Sequence, residues 1–309
     1  MKNDYDVIII CGPTASGKSS FAISIADSIG GVIINADSAQ LYKNLTILTA
    51  SPSFLDKEKV GHLLYNFLNL QENFSVASYL IKATKTIEEA IDNSKIPIVV
   101  GGSGLYISTL LKGIHELPVI SPGVLGKINT YVQKLGIESL YKKLVDIDPV
   151  FASKVKPQDS YRIARGYGIF LQSGQNFSSF LNKSVWNPLE KYKKKVILLQ
   201  PERSFLYKMV NDRFDAMINS GAIEEVKTIM NLKDENSIRR SMRVIGFREI
   251  FNYLKGTIEY KDAIDLAKQN SRNYAKRQIT WFSNKLLEKL VFQYESFKEL
   301  EQFSYTKDF

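Results

Sequence analysis

The residues Gly12-Pro13-Thr14-Ala15-Ser16-Gly17-Lys18-Ser19 fit the pattern G-x-x-x-x-G-K-[ST] at every position. Glycines at both ends let the backbone wrap so that successive N–H groups point inward, and a helix starting beyond the loop adds partial positive charge at its N-terminus. Lys18 supplies a mobile full charge, and Ser19 offers a hydroxyl to Mg²⁺ bridging phosphate oxygens. Such a loop binds a di- or triphosphate. The pattern leaves open whether the phosphoryl group is transferred, hydrolysed or simply departs. Two further stretches carry groups able to act on such a ligand. In Asn35-Ala-Asp37-Ser38-Ala39-Gln40-Leu-Tyr42, Asp37 has three roles open to it: an outer Mg²⁺ ligand, a general base for an acceptor nucleophile, or a helix cap with no chemistry. Gly101-Gly102-Ser103-Gly104 either packs closely on a ligand, with Ser103 as a hydrogen-bonding group, or is a plain turn.

These groups need elements to hold them. Val7–Cys11 is a continuous β-branched run, the pattern of a strand buried on both faces, and a helix is expected from about Lys18 to Ile29. Gly30-Gly31 stops it, and Val32–Ile34 reads as a second strand. His62–Leu70 reads as a third strand, residues 76–93 as a helix, and Ile96–Val100 as another buried strand. Strands alternating with helices predict a parallel, doubly wound α/β sheet whose strand ends line a ligand crevice. From about Leu117 to Lys195 the periodicity is helical, broken at Pro118, Pro122, Pro157 and Gly174, and Val196–Gln200 looks like a strand again. A helical insertion over 117–195 is the economical reading. Three or four helices are expected after it, to about Leu290, and Lys191–Lys195 reads as a solvated linker.

The chain has 309 residues and a net charge of +9, which points to a polyanionic partner or to a Lys-rich compositional bias. Its ten arginines begin only at Arg162, and arginine is the better planar phosphate fork. Residues 239–285 carry eleven Lys and Arg against four acids, interleaved with Tyr253, Tyr260, Tyr274, Trp281 and Phe282. For the aromatics at 281 and 282 core packing is the expectation. For Arg239, Arg240, Arg243, Arg272, Lys276 and Arg277 it is contact with a nucleic-acid backbone rather than a merely solvated face. One cysteine, Cys11, excludes an intramolecular disulfide framework and a cysteine-based zinc cluster. Apolar runs are too short for a membrane span, and the acidic start does not read as a signal peptide. A cytoplasmic monomer is expected.

Six blocks, taken together and in order, resemble the tRNA dimethylallyltransferase family (tRNA isopentenyl-diphosphate transferases): GPTASGKS at 12–19, NADSAQLYKNL at 35–45, GGSGLYI at 101–107, RFDAMINSGAIEEV at 213–226, VIGFREIFNYLKG at 244–256 and RNYAKRQITWF at 272–282. The resemblance implies an α/β fold, a P-loop NTPase-like parallel sheet flanked by helices, with a helical insertion domain. The expected divisions are 1–116 for the first part of the core, 117–195 for an insertion touching the anticodon stem, and 196–309 for the return to the sheet plus tRNA-binding helices. It implies transfer of a dimethylallyl group from dimethylallyl diphosphate to N6 of the adenosine 3′ of the anticodon, in tRNAs reading codons that begin with U, with Mg²⁺ as cofactor. Asp37 matches the family's catalytic aspartate, here the general base. Arg213 is the candidate clamp on the leaving diphosphate held by residues 12–19, and Ser103 stands where the family usually has Thr. Ser38, Ala39 and Gln40 are expected at the extruded base, and Tyr161, Arg162 and Arg165 on tRNA.

The chain also departs from the family's pattern. Leu48-Thr49-Ala50-Ser51-Pro52 lacks a Gly and a Lys, Gly61-His62-Leu63 has one His for two, and Gly166-Tyr167-Gly168 is expected to loosen its helix. His62 reads as structural. A small-molecule P-loop kinase and an adenylate isopentenyltransferase acting on free AMP, ADP or ATP stand as alternatives. The first follows from the phosphate loop taken alone, the second from the front half of the chain; the insertion and the block at 272–282 favour a tRNA acceptor.

Overall fold

A computed structural model of the chain describes residues 5–286 and 288–304. Most of the start that reads as no signal peptide, and the last five residues of the third expected division, lie outside them. Among the described residues no helix is long and apolar enough to cross a membrane.

In chain order the first part holds β1 (Val7–Cys11), α1 (Lys18–Ile29), β2 (Gly31–Asn35), α2 (Phe54–Lys59), β3 (His62–Leu63), α3 (Val76–Asp92), β4 (Ile96–Gly101) and α4 (Gly104–Lys112). The insertion holds β5 (Ile114–His115), α5 (Pro122–Ile147), α6 (Pro149–Ala152), α7 (Ser160–Ser173), α8 (Phe177–Leu181) and β6 (Val185–Trp186). The chain then forms β7 (Lys194–Pro201), α9 (Arg203–Asn219), α10 (Ala222–Asn231), α11 (Glu235–Ser241), α12 (Phe247–Leu254), α13 (Tyr260–Lys285), β8 (Leu290–Tyr294) and α14 (Phe297–Ser304).

Six strands form one sheet in the order β3-β2-β4-β1-β7-β8, every pairing parallel. This is the α/β, P-loop-like class expected from alternating strands and helices. β1 sits inside the sheet and all five of its residues are buried, which is why it reads as an unbroken apolar run. β4 lies between β1 and β2, so the three loops leaving their carboxyl ends emerge side by side, at strand spacings of roughly 4.8 Å. The phosphate loop, the Asp37 loop and the Gly101–Gly104 loop are these three.

Several expected elements differ. The third strand stops after two residues, because Leu64 (φ 63°) and Asn66 (φ 49°) turn the chain into the left-handed region. The end of the Lys191–Lys195 run is strand, not linker: Lys194 and Lys195 pair with Val7 and Ile8 of β1. Among the described residues five helices, α9 to α13, lie between β7 and residue 290 where three or four were expected, and β8 and α14 extend the fold beyond them.

The second compact unit spans Lys112–Asn187, shifted from the 117–195 read in the sequence. It begins and ends where β5 pairs antiparallel with β6. Residues after it return to the sheet, where the Lys193 carbonyl accepts from Asp6 and Val7 N–H. Within the unit α7 runs unbroken through Gly166 and Gly168, against the expected loosening. A Cβ at Gly166 would lie 2.5 Å from the Phe151 ring, and one at Gly168 2.8 Å from Ile120. Both glycines permit close packing that offsets their lower helix propensity. On the same helix Tyr161 is 79% exposed, Arg162 is exposed and ion-paired to Asp159 (3.5 Å), and Arg165 is half-buried.

Candidate active site

The phosphate loop joins β1 to α1 and carries strain where its turn demands it. Gly17, the residue before α1, is left-handed (φ 73°), and Ala15 holds φ 62° without being glycine. Gly12 is required by crowding, since a Cβ there would stand 2.5 Å from the Leu199 carbonyl oxygen of β7. Lys18 Nζ donates to the Pro13 carbonyl (2.5 Å) and lies 3.5 Å from Ser16 Oγ. Burial, with Arg213 adding to it, lowers the Lys18 pKa to about 8, while Asp37 pulls the other way. Ser19, exposed in the first turn of α1, lines the same cavity as Lys18.

Asp37 follows β2 and is oriented by its neighbour. Buried Asn35 accepts from Asp37 N–H (2.8 Å) and donates to the Asp37 (3.0 Å) and Leu64 (3.0 Å) carbonyls. Tyr79, stacked on Tyr106 with centroids 3.7 Å apart, donates to the Asn35 carbonyl (3.0 Å). Asp37 Oδ1 accepts from Ala39 N–H (3.0 Å), a local turn bond, and no helix follows. The helix-cap reading therefore fails, while the carboxylate remains on a cavity wall.

The Gly101–Gly104 loop is packed against both others. A Cβ at Gly101 would lie 2.1 Å from the Ala36 carbonyl. Ser103 Oγ accepts from Ser38 N–H (2.9 Å) and its hydroxyl reaches Ser38 Oγ (3.2 Å). Ser103 thus orients the loop that carries Asp37. Gln278, on α13, joins the third pair: Thr14 N–H donates to its Oε1 (2.8 Å) and its Nε2 donates to the Gly102 carbonyl (2.9 Å). Gln278 is 5% exposed. It lies inside the block at 272–282, but a lone glutamine among basic residues gives no sequence signal of a clamp. Asn35 was missed for the same reason.

Two cavities meet at Thr14, Ala15, Asp37, Arg213 and Met217. The larger, of about 900 Å³, contains the phosphate loop, His62, Tyr65 and the 46–53 loop. The smaller, of about 300 Å³, is lined by Ser38, Ala39, Arg243, Ser271, Tyr274 and Arg277 among others. Arg213, half-buried on α9, reaches both; burial lowers its pKa and the charge of Asp37 opposes that fall. Burial, and then the Asp37 charge, raise the phenols of Tyr65 and Tyr274, which stay neutral donors. The 46–50 loop rests on Glu225, which accepts from Thr46 (2.7 Å), Ile47 (2.8 Å) and Leu48 (3.0 Å) N–H. Gln40 Nε2 donates to the Thr49 (2.9 Å) and Ala50 (2.8 Å) carbonyls. Gly and Lys are thus dispensable for this loop's shape, although Ser51 leaves its own place on the larger cavity's wall uncharged, with Lys18 the lysine that lines it. Half-buried His62 keeps Nδ1 2.8 Å from the Val60 carbonyl and also faces that cavity.

The basic candidates on 239–285 divide by location. Arg243 and Arg277 are exposed and line the smaller cavity; Arg239 and Lys276 are exposed elsewhere. Arg240 is engaged within the protein, donating to Tyr42 Oη (2.7 Å) and Asn73 Oδ1 (2.8 Å). Arg272 donates to Asn211 Oδ1 (2.6 Å). Phe282 is fully buried, as expected, while Trp281 is half-buried against Gly104.

Two measurements check this geometry. Lys18 is neutral in the folded chain above about pH 8 but stays charged in the unfolded chain to near its ordinary 10.5, so the unfolded state binds more protons in that window. Wild type should therefore gain thermal stability relative to Lys18→Met as pH rises from 8 towards 10, in melts run side by side. Gln278→Leu should cost about 1–3 kcal/mol in denaturant unfolding, because it strands the buried Gly102 carbonyl and a part-buried Thr14 N–H.

Residues 40–285 match the family model described as IPP transferase. The chain is 40% identical over 299 residues to the tRNA dimethylallyltransferase of Rickettsia rickettsii (strain Sheila Smith), covering 96% of this chain and 81% of that protein. It is 37% identical to that of Orientia tsutsugamushi (strain Boryong), covering 96% of each. Among solved structures, the full-length tRNA isopentenylpyrophosphate transferase of Bacillus halodurans superposes with a TM-score of 0.68 at 31% identity, covering 97% of this chain and 95% of that one. A eukaryotic dimethylallyltransferase acting on tRNA superposes at 0.80 and 26% identity, covering 96% of this chain and 75% of that one. A phosphate loop, an oriented aspartate and an arginine on adjoining cavities, together with these likenesses, make the chain a member of the IPP transferase family.

Proposed function

We propose that this protein transfers the dimethylallyl group of dimethylallyl diphosphate to the exocyclic N6 of the adenosine 3′ of the anticodon in tRNA, releasing diphosphate. The observation that carries this reading is the shared wall. Asp37 and Arg213 stand between a lobe built for a diphosphate and a lobe lined by tyrosine and arginine. The helical insertion and the basic block at 272–282, with Arg243 and Arg277 on the rim of the second lobe, favour an RNA acceptor over a small molecule or a free nucleotide.

Loss of diphosphate from an allylic carbon builds positive charge at C1 and negative charge on the leaving oxygens. Phosphate-loop amides, Lys18 and Arg213 meet that negative charge from fixed positions on the cavity wall. Mg²⁺, when bound, would neutralise phosphate oxygens and would be held by the Ser19 hydroxyl. Among the described residues no cluster of His, Cys, Asp and Glu is set to hold a metal by itself, and an ion that keeps waters and takes most oxygens from its phosphate ligand fits that donor set. The adenine N6 lone pair is delocalised into the ring, so attack on C1 needs its proton removed as the C–N bond forms. The Asp37 carboxylate, held in place through Asn35, accepts that proton. The base reaches it by extrusion from the stack, at a cost of a few kcal/mol. Ser38 and Ala39 border it; Gln40, expected there, lines the larger lobe instead, because its amide is held by the Thr49 and Ala50 carbonyls. Tyr274 offers a ring, and Arg243 and Arg277 reach the phosphates beside it. Arg239 and Lys276 extend the basic rim; Arg240 and Arg272 act from their bonds to Tyr42 and Asn211. Tyr161, Arg162 and Arg165 contact the anticodon stem from the insertion. The protein works as a cytoplasmic monomer.

Incubation with Mg²⁺, labelled dimethylallyl diphosphate and either unmodified tRNA or AMP should place label in tRNA. Label in AMP alone would sink the proposal, and ATP-dependent phosphorylation without prenyl transfer would restore the kinase. Asp37→Asn should lower kcat by about 10²–10⁴-fold with tRNA affinity nearly unchanged. For Arg277→Ala, weaker tRNA binding at every sequence is expected, with the slope of log K against log salt reduced by about one.

A further inference from the structure

Residues 290–304 follow every motif block in the chain, yet they lie directly on the phosphate loop. β8 pairs with β7 from Ile197–Leu290 to Pro201–Tyr294. At the end of that ladder the Tyr294 hydroxyl donates to the Ser16 carbonyl, and Tyr294 is 2% exposed. α14 then packs on α1. Phe297 and Leu300 close over Gly17, where a Cβ would lie 2.9 and 2.8 Å from their side chains, and Phe297 also lines the diphosphate cavity.

A loop that turns its amides towards a ligand must turn its carbonyls away, into the protein, where each needs a donor. The Pro13 carbonyl is met by Lys18, a group that a diphosphate draws to itself. Ser16, 1% exposed, is met by a phenol outside the ligand's reach, since Tyr294 borders a different cavity, with Glu202 and Lys276. Burial raises that phenol's pKa, so it remains a neutral donor.

We propose that Tyr294 is a positioning residue of the diphosphate site, fixing the phosphate-loop backbone at Ser16 through its carbonyl, and that β8 and α14 are thereby part of that site. Any ligand carrying a diphosphate uses this support. The binding arm of the test is independent of the proposed reaction; only its kinetic arm rests on prenyl transfer.

Tyr294→Phe removes the hydroxyl and keeps the ring against Phe205 (6.3 Å) and Phe292 (5.4 Å). By calorimetry with inorganic diphosphate and Mg²⁺, its Kd should rise roughly tenfold, the scale of one lost buried hydrogen bond. The KM for dimethylallyl diphosphate should rise in step and the KM for tRNA should not. Val291→Ala, on the opposite face of the same strand, should lower thermal stability without changing diphosphate affinity. Diphosphate affinity within twofold of wild type in Tyr294→Phe overturns the proposal. So does an equal loss in Val291→Ala, which would mark the effect as general loosening of the strand. Loss of diphosphate affinity in Tyr294→Phe in a protein that transfers no prenyl group would leave this assignment standing and remove the reaction.

Discussion

A phosphate loop works only while its amides stay turned inward, and a backbone with that turn has nowhere of its own to put its carbonyls. Much of this structure answers that constraint. Leu199 approaches Gly12 so closely that no side chain fits, Tyr294 meets the Ser16 carbonyl, and Gln278 takes the Thr14 N–H. These groups come from β7, β8 and α13, all far along the chain from the loop they hold, and of them only Tyr294 donates to it. Preorganisation of this kind lets the site meet charge on a leaving diphosphate without rearranging as that charge grows.

Sheet order turns this local device into a reactive centre. With β4 between β1 and β2, the Gly101–Gly104 loop can touch both the phosphate loop and the Asp37 loop, through Gln278 on one side and Ser103 on the other. Lys18 and Arg213 are like charges brought close together, and each is partly relieved by Asp37. That arrangement carries an excess of positive charge which a bound polyanion relieves, so the ligand completes the electrostatics that folding leaves unbalanced.

The departures from the family pattern are absorbed by neighbours rather than left as defects. Glu225 and Gln40 grip the 46–50 loop by its backbone, so its shape does not depend on a glycine at Leu48. Gly166 and Gly168 trade helix propensity for close contact with Phe151 and Ile120. Only at Ser51 is a charge absent from the cavity with nothing of like sign replacing it at that position.

The phosphate loop, the buried strands around it and the alternation that makes the sheet parallel were legible in the sequence, because glycine spacing and unbroken apolar runs are local signals. Asp37 and Arg213 were legible as residues of recognisable blocks, although their meeting on one wall was not. The short third strand and the early return at Lys194 escaped because backbone turns at Leu64 and Asn66, and pairing with Val7, are decided by tertiary contact. Arg240 and Arg272 read as free cations because a sequence does not show Tyr42, Asn73 or Asn211 beside them. The amino-acid sequence by itself determined which groups are present and the class of ligand they suit. Tertiary structure alone decided which buried polar atoms find partners, and so brought Asn35, Gln278 and Tyr294 into the site, because hydrogen bonds reaching as many as 278 residues along the chain leave no periodicity to read.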